Sequence, residues 1–185
     1  MAIPPMFSLA EMEACLDHIC DSPRDTGTVE LIVRRPRAGE REVVSAALLD
    51  VEVGLVGDNW LTRGSRHTPD GSADATAQLT LMNARAIAAI ATAKDAWPLA
   101  GDQLFVDFDL SDSHLPPGTR LQVGSALIEV TATPHTGCKL FAARFGVDAV
   151  KFVNSPRGKQ LHLRGINARI VRSGEVRVGD KVEMM

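Results

Sequence analysis

The chain has 185 residues, enough for one domain with a full hydrophobic core. Charged residues make up 23%, hydrophobic residues 45%, and the formal net charge is −3. This is an ordinary globular composition; with no basic excess it gives no support to a nucleic-acid partner, and with no tyrosine it excludes tyrosine acid–base chemistry.

Met1-Ala-Ile-Pro-Pro has no charged segment followed by an apolar run, so no signal peptide is expected. Ser8-Leu-Ala-Glu11 is a capping box, and Leu9, Met12, Leu16 and Ile19 recur at helical spacing. This predicts an amphipathic helix over Ser8 to Cys20. Asp21 to Gly27 is a turn-rich break, so residues 1–27 read as a helical appendage and 28–185 as the main domain.

From Thr28 the grammar becomes that of strands. Val29 to Val33, Val43 to Val53, Gln78 to Met82 and Leu104 to Phe108 are predicted strands. Arg63 to Thr76 is a long polar loop. Asn83 caps a predicted alanine-rich helix to about Lys94. Ala86 to Ala91 is the longest apolar run, too short to span a bilayer, so no membrane is expected. Leu115 to Val130 reads as turn, strand, tight turn, strand, and Gly174 to Glu183 repeats it with Gly-Asp as a hairpin signal. Between them, Cys138 to Phe145 is helical with Gly146 as a C-cap, and Asp148 to Phe152 adds a turn. Ser155-Pro-Arg157-Gly-Lys159 and Arg164 form a basic stretch, read as a solvated loop or an anion site, and Arg164 to Val171 returns to strand. Many short strands with glycine-rich turns indicate a mainly β barrel or sandwich.

The three cysteines are Cys15, Cys20 and Cys138. An odd number without a Cys-x-x-Cys pair argues for a reducing compartment, hence the cytoplasm. Thr131-Ala-Thr-Pro-His-Thr-Gly-Cys138-Lys-Leu-Phe places Cys138 between a strand and a helix start. Unpaired N–H groups there favour a thiolate, and Lys139 and Arg144 add positive charge. Such a thiolate carries sulfur or ligates a soft metal; the alternative is a buried cysteine that packs as a small hydrophobe. His135-x-x-Cys138 lacks a second ligand pair, so no zinc is expected. His135 is a candidate modulator of Cys138. No Gly-x-Gly-x-x-Gly or P-loop pattern is present.

Taken in order, Gly54-Leu-Val-Gly-Asp58, Gly118-Thr-Arg-Leu-Gln-Val-Gly124, the cysteine segment, Arg164-Gly-Ile-Asn-Ala-Arg169 and Ser173-Gly-Glu-Val-Arg-Val-Gly-Asp180 resemble the MOSC family. That family is the C-terminal module of molybdenum cofactor sulfurases and also occurs as stand-alone bacterial proteins. The resemblance runs from Thr28 to Met185 and implies a β-barrel with a few peripheral helices. It implies a pocket centred on Cys138, with His135 beside it and Asp58, Arg66, His67, Asp102, Lys139 and Arg164 facing a molybdopterin cofactor. Arginines there would bind the pterin's phosphate. Cys138 would either accept and deliver sulfane sulfur or ligate molybdenum. The first role needs a cysteine desulfurase in trans and a molybdenum cofactor or molybdoenzyme as acceptor. The second is that of a reductase of N-hydroxylated compounds. A non-catalytic binding or interaction module, with Cys138 inert, is the third reading. Two positions depart from the family pattern: Gly137 stands where many members have proline, which predicts a looser loop, and Gly101-Asp-Gln-Leu104 where many have Gly-Glu-Asn-Leu.

Overall fold

The computed structural model describes residues 6–185; the opening five residues, where no signal peptide was expected, lie outside the described residues. Ser8 caps α1 (Leu9–Glu13), and the Glu11 carboxylate accepts from the Ser8 N–H at 2.8 Å. The single helix expected over Ser8 to Cys20 is two, α1 and α2 (Leu16–Cys20). The Cys15 N–H bonds to the Met12 carbonyl, three residues back, while the Cys15 thiol takes the Glu11 carbonyl. That tightened turn ends the α-ladder. Met12 and Ile19 are both buried.

The strands are β1 (Thr26–Arg34), β2 (Glu42–Val44), β3 (Ala46–Asp50), β4 (Gly54–Leu55), β5 (Leu79–Asn83), β6 (Leu104–Asp107), β7 (Arg120–Val123), β8 (Ala126–Val130), β9 (Ile166–Arg172), β10 (Gly174–Arg177) and β11 (Lys181–Met184). β1 starts at Thr26, so the expected domain start at Thr28 falls inside a strand. Seven of them close a mixed barrel in the order β11-β7-β8-β9-β5-β6-β1, with β1 pairing back to β11. β5 and β6 are parallel, and their crossover carries α4 (Ala84–Ile90) and a 3-10 helix, Lys94–Ala100. α4 ends at Ile90 rather than Lys94, because Ala91 is extended. Asn83 caps it as expected, its Oδ1 accepting from Arg85 and Ala86 N–H.

Alternation along the strands builds two cores. Leu81, Leu104 and Val106 point into the barrel with Val29, Leu121, Ile128 and Ala168. Met82 and Phe105 point outward, onto Met12, Ile87, Ile90, Phe141, Phe145 and Phe152 of the helices. β5 and β6 are therefore covered on both faces, as parallel pairs require.

α3 (Trp60–Arg63) precedes the long polar loop. α5 (Lys139–Asn154) is broken at Gly146, whose φ of 86° and ψ of 167° stop the first segment before the second resumes. The stretch read as a solvated loop, Ser155 to Lys159, is instead α6 (Pro156–Gln160). Ser155 caps it by accepting from the Gly158 N–H at 2.9 Å, and Pro156 sits where its missing N–H costs nothing.

Gly174 to Glu183 is not a hairpin. β10 pairs with β3 and β11 pairs with β7 and β1. The β7–β8 turn wedges between them: the Ser125 N–H donates to Glu175 O at 2.9 Å, the Glu175 N–H to Ser125 Oγ at 2.8 Å, and the Gly124 N–H to Lys181 O at 3.3 Å.

Candidate functional site

The 3-10 helix Lys94–Ala100 ends on Gly101 at φ 91°, a conformation that favours glycine. The turn drops Asp102 and Gln103 into the interior, both fully buried. Gln103 is a cross-link between strands: its Oε1 accepts from the Thr80 N–H at 2.8 Å and the Thr80 hydroxyl at 2.7 Å. Asp102 is the hub. Arg164 Nη1 donates to its Oδ2 at 2.5 Å, and His135 Nε2 lies 2.9 Å from its Oδ1. Arg164 also donates to Ala100 O at 2.8 Å and stacks over the Phe141 ring at 4.8 Å. Burial alone raises the Asp102 carboxyl, but the Arg164 charge and then His135 outweigh it, and the group is held below the usual carboxylate range. Burial lowers His135 more than Asp102 raises it, so the ring is neutral at pH 7. Its Nε2–H donates to Asp102, and Nδ1 is left with a lone pair and no partner among the described residues.

Cys138 is an exposed free thiol in the N-cap position of α5, extended, with no side-chain capping bond. Lys139 beside it is also exposed. The loop before it is pinned, contrary to the looseness expected of Gly137. The Gly137 N–H donates to Asn154 Oδ1 at 2.9 Å, and Asn154 Nδ2 donates back to Gly137 O at 3.0 Å. A Cβ on Gly137 would lie 2.9 Å from Val153 Cγ2, so the small residue is needed for this close approach.

Asp58 does not face open space. Its buried carboxylate accepts from Arg35 N, Nε and Nη2 at 2.8–2.9 Å and from the Trp60 N–H at 3.0 Å. Arg35 Nη1 donates to Gly101 O at 3.0 Å. Asp58 thus acts on the Gly101 turn through Arg35. Arg66 and His67 are exposed on the loop after α3, and no side-chain bond ties them to this centre.

Sequence reasoning missed Arg41 and Arg63, and took Arg144 only as a positive charge near Cys138. A Cβ on Gly101 would lie 3.5 Å from Arg41 Nη2 and 3.7 Å from Arg144 Nη1. Burial lowers the Arg41 guanidinium's proton affinity first, and the charges of Arg144, Arg35 and Arg63 add to it; burial and Arg35 do the same to Arg63. Carbonyls rather than carboxylates receive these donors: Arg41 bonds to Pro98 O at 3.2 Å and Glu40 O at 2.6 Å, and Arg144 to Leu99 O at 2.6 Å. Among the described residues, Arg41, Arg63 and Arg144 have no carboxylate partner. Arg41 and Arg144 concentrate positive charge over the turn, Arg63 is near enough for its charge to act on Arg41, and such a cluster favours an anion. Arg41, Arg63 and Arg144 come from separate parts of the chain, so no local motif announces them.

His135 and Arg164 also line a cavity of about 440 Å³ between the Thr131–Thr136 loop and the Gly158–Asn167 segment. Cys138, Lys139, Asp58, Arg66, His67 and Asp102 are not among its walls. No group of three or more His, Cys, Asp or Glu side chains able to hold a metal occurs among the described residues. No helix there is long and apolar enough to cross a membrane.

Comparison with known proteins gives a consistent picture. The sequence model of the MOSC domain matches residues 72–183. No curated protein matches the chain. Among solved structures, the YuaD protein from Bacillus subtilis superposes with a TM-score of 0.65 at 16% identity, covering 88% of this chain and 97% of that one. YiiM from Escherichia coli gives 0.54 at 17% identity over 85% and 69%, and YiiM from Geobacillus stearothermophilus 0.51 at 12% over 86% and 75%. At these identities the likeness is one of fold.

Proposed function

The chain belongs to the MOSC domain family, and from that premise we propose that it serves the molybdenum cofactor by presenting Cys138 as a sulfur carrier beside an arginine-lined anion site. The observation that carries this reading is the exposed, unpaired Cys138 at the N-cap of α5, the same helix that sends Arg144 into the cluster over Gly101.

The donor set fits the cofactor. A soft thiolate, with no group of three or more His, Cys, Asp or Glu able to hold a metal among the described residues, suits a metal whose other ligands come with its own organic part. Arg41, Arg63 and Arg144 would hold the pterin's phosphate, and Cys138 would stand at the metal end. When bound, the cofactor supplies a metal–sulfur centre that accepts sulfur. Arg35 and Asp58 keep the turn beneath the arginines in place, and the Asp102–His135 contact and Asn154 hold the cysteine loop.

Sulfur loading requires a pyridoxal-phosphate cysteine desulfurase in trans. The Cys138 thiolate attacks the terminal sulfur of the desulfurase persulfide; the new S–S bond forms on Cys138 as the old one breaks, and the desulfurase cysteine leaves as a thiolate. The test is mass spectrometry after incubation with a desulfurase and cysteine. A gain of one sulfur on Cys138 is expected. Loading confined to Cys15 or Cys20, or no loading, would refute the proposal.

A further inference from the structure

The cavity next to His135 lies outside the cysteine and arginine site, and its chemistry is different. Leu115, Val130, Val153 and Ile166 give it apolar walls. One wall is fixed by unusual backbone: His162 is the only non-glycine residue with positive φ among the described residues, at 49°. Its Nδ1 lies 2.6 Å from Leu110 O and its Nε2 2.8 Å from Asp112. Asp112, the one carboxylate on the lining, is therefore engaged. Non-glycine residues in the left-handed region persist only where their surroundings hold them, and they gather at ligand clamps.

The cations of the cavity are less well matched. Ion pairs engage Lys94, Lys151 and Lys181, while Lys159, on the cavity lining, has none among the described residues. Arg164, 7% exposed, also lines it, and its Nε–H is buried without an acceptor. A buried donor left unpaired is costly. His135 brings a further polar edge to the same space. An apolar chamber of this volume with a few convergent polar groups is the usual form of a small-molecule site. With Arg164 paired to Asp102, the one unpartnered charge on the lining, among the described residues, is that of Lys159, which with the free Arg164 Nε–H selects an anionic ligand.

We propose that this cavity binds a small apolar carboxylate, its hydrocarbon or aromatic body against Leu115, Val130, Val153 and Ile166 and its carboxylate at Lys159 and Arg164. The Ser155–Lys159 stretch, basic in the sequence, acquires its role here: α6 carries Lys159 to the cavity wall. The site stands independently of sulfur transfer at Cys138.

The probe is 2-naphthoate, compared by titration calorimetry with its uncharged analogue 2-naphthamide. Naphthoate should bind saturably and the amide at least tenfold more weakly. Lys159→Gln, a change on an exposed residue, should bring naphthoate down to the amide's affinity. Ala132→Trp, at an exposed position of the wall, should abolish binding of both; Thr136→Trp serves the same purpose if the first variant fails to fold. Sulfur loading of Cys138 should be unchanged in Lys159→Gln and Ala132→Trp, so failure of one proposal is separable from failure of the other; Thr136→Trp, on the cysteine loop, is read for binding alone. No saturable binding, equal affinity for the amide, or wild-type binding in the folded tryptophan variants would overturn the assignment.

Discussion

Asp102→Asn is the most informative single change, because it removes one charge and almost no volume. Asp102 is fully buried and receives both Arg164 and His135. The variant leaves the Arg164 guanidinium, itself 7% exposed, without its counter-ion. Removing one partner of a buried pair costs about 3–5 kcal/mol. For a domain of this size that lowers the thermal midpoint by roughly 6–20 °C. The pH dependence follows from signs. The Asp102 carboxyl titrates below its ordinary range when folded, so its stabilisation is full above an unfolded pKa of about 3.9 and is lost as pH falls through the lower folded value. Wild type and variant should therefore differ most at neutral pH and converge in acid. Adding Arg164→Met should recover much of the loss, since replacing both members of a buried pair is often neutral. Urea denaturation followed by circular dichroism across pH measures all three. A single-variant loss under about 1 kcal/mol, or parallel acid limbs, would refute the assignment of Asp102 as the charged hub.

Other expectations concern the cysteines, the loop and the arginines. Cys138→Ser should abolish sulfur loading and Cys15→Ser should keep it, by mass spectrometry; Cys20→Ser should keep it too, although exposed Cys20 lies 3.5 Å from Arg157 Nη2 and needs its own alkylation control. His135, whose folded pKa is lowered, disfavours the folded state as pH drops below an unfolded pKa of about 6.5; His135→Asn should flatten the stability profile just below that pH. Asn154→Ala should slow loading of Cys138 by releasing both backbone groups of Gly137, while Gly137→Ala should destabilise by about 1–3 kcal/mol through the Val153 contact, read by thermal melting. Arg41→Ala or Arg144→Ala should weaken binding of a phosphate-bearing pterin by about tenfold or more, at about 1.5–3 kcal/mol per charge-assisted bond, with Arg66→Ala near wild type by calorimetry.

The sequence was informative wherever the physics is local. Caps at Ser8 and Asn83, the break at Gly146 and the β7–β8 turn at Gly124 all depend on a few neighbouring residues. Gly174 to Glu183 misled because a Gly-Asp turn looks alike whether its strands pair with each other or are parted by Ser125 from elsewhere in the chain. The site was legible residue by residue but not as contacts. His135, Asp102 and Arg164 were all candidates, yet their joining depends on β6, β9 and the cysteine loop meeting in space. Asp58 was named for a ligand role, and only the fold reveals Arg35 occupying it. Arg41 resembles any surface arginine until the Gly101 turn is placed between it and Arg144, and Arg63 until its charge is seen to act on Arg41.

The closure of the barrel has a kinetic consequence. β1 meets β11 through pairs such as Thr26 with Glu183, among the most distant in sequence that the fold contains. The loop entropy of that pairing must be met before its contacts stabilise anything, so the seam should form late and slowly. Until then the flanks of β1 and β11 stand as unpaired edges, open to strands of other molecules. Refolding yield should accordingly fall with protein concentration, and a weakened seam should lower that yield before it lowers equilibrium stability.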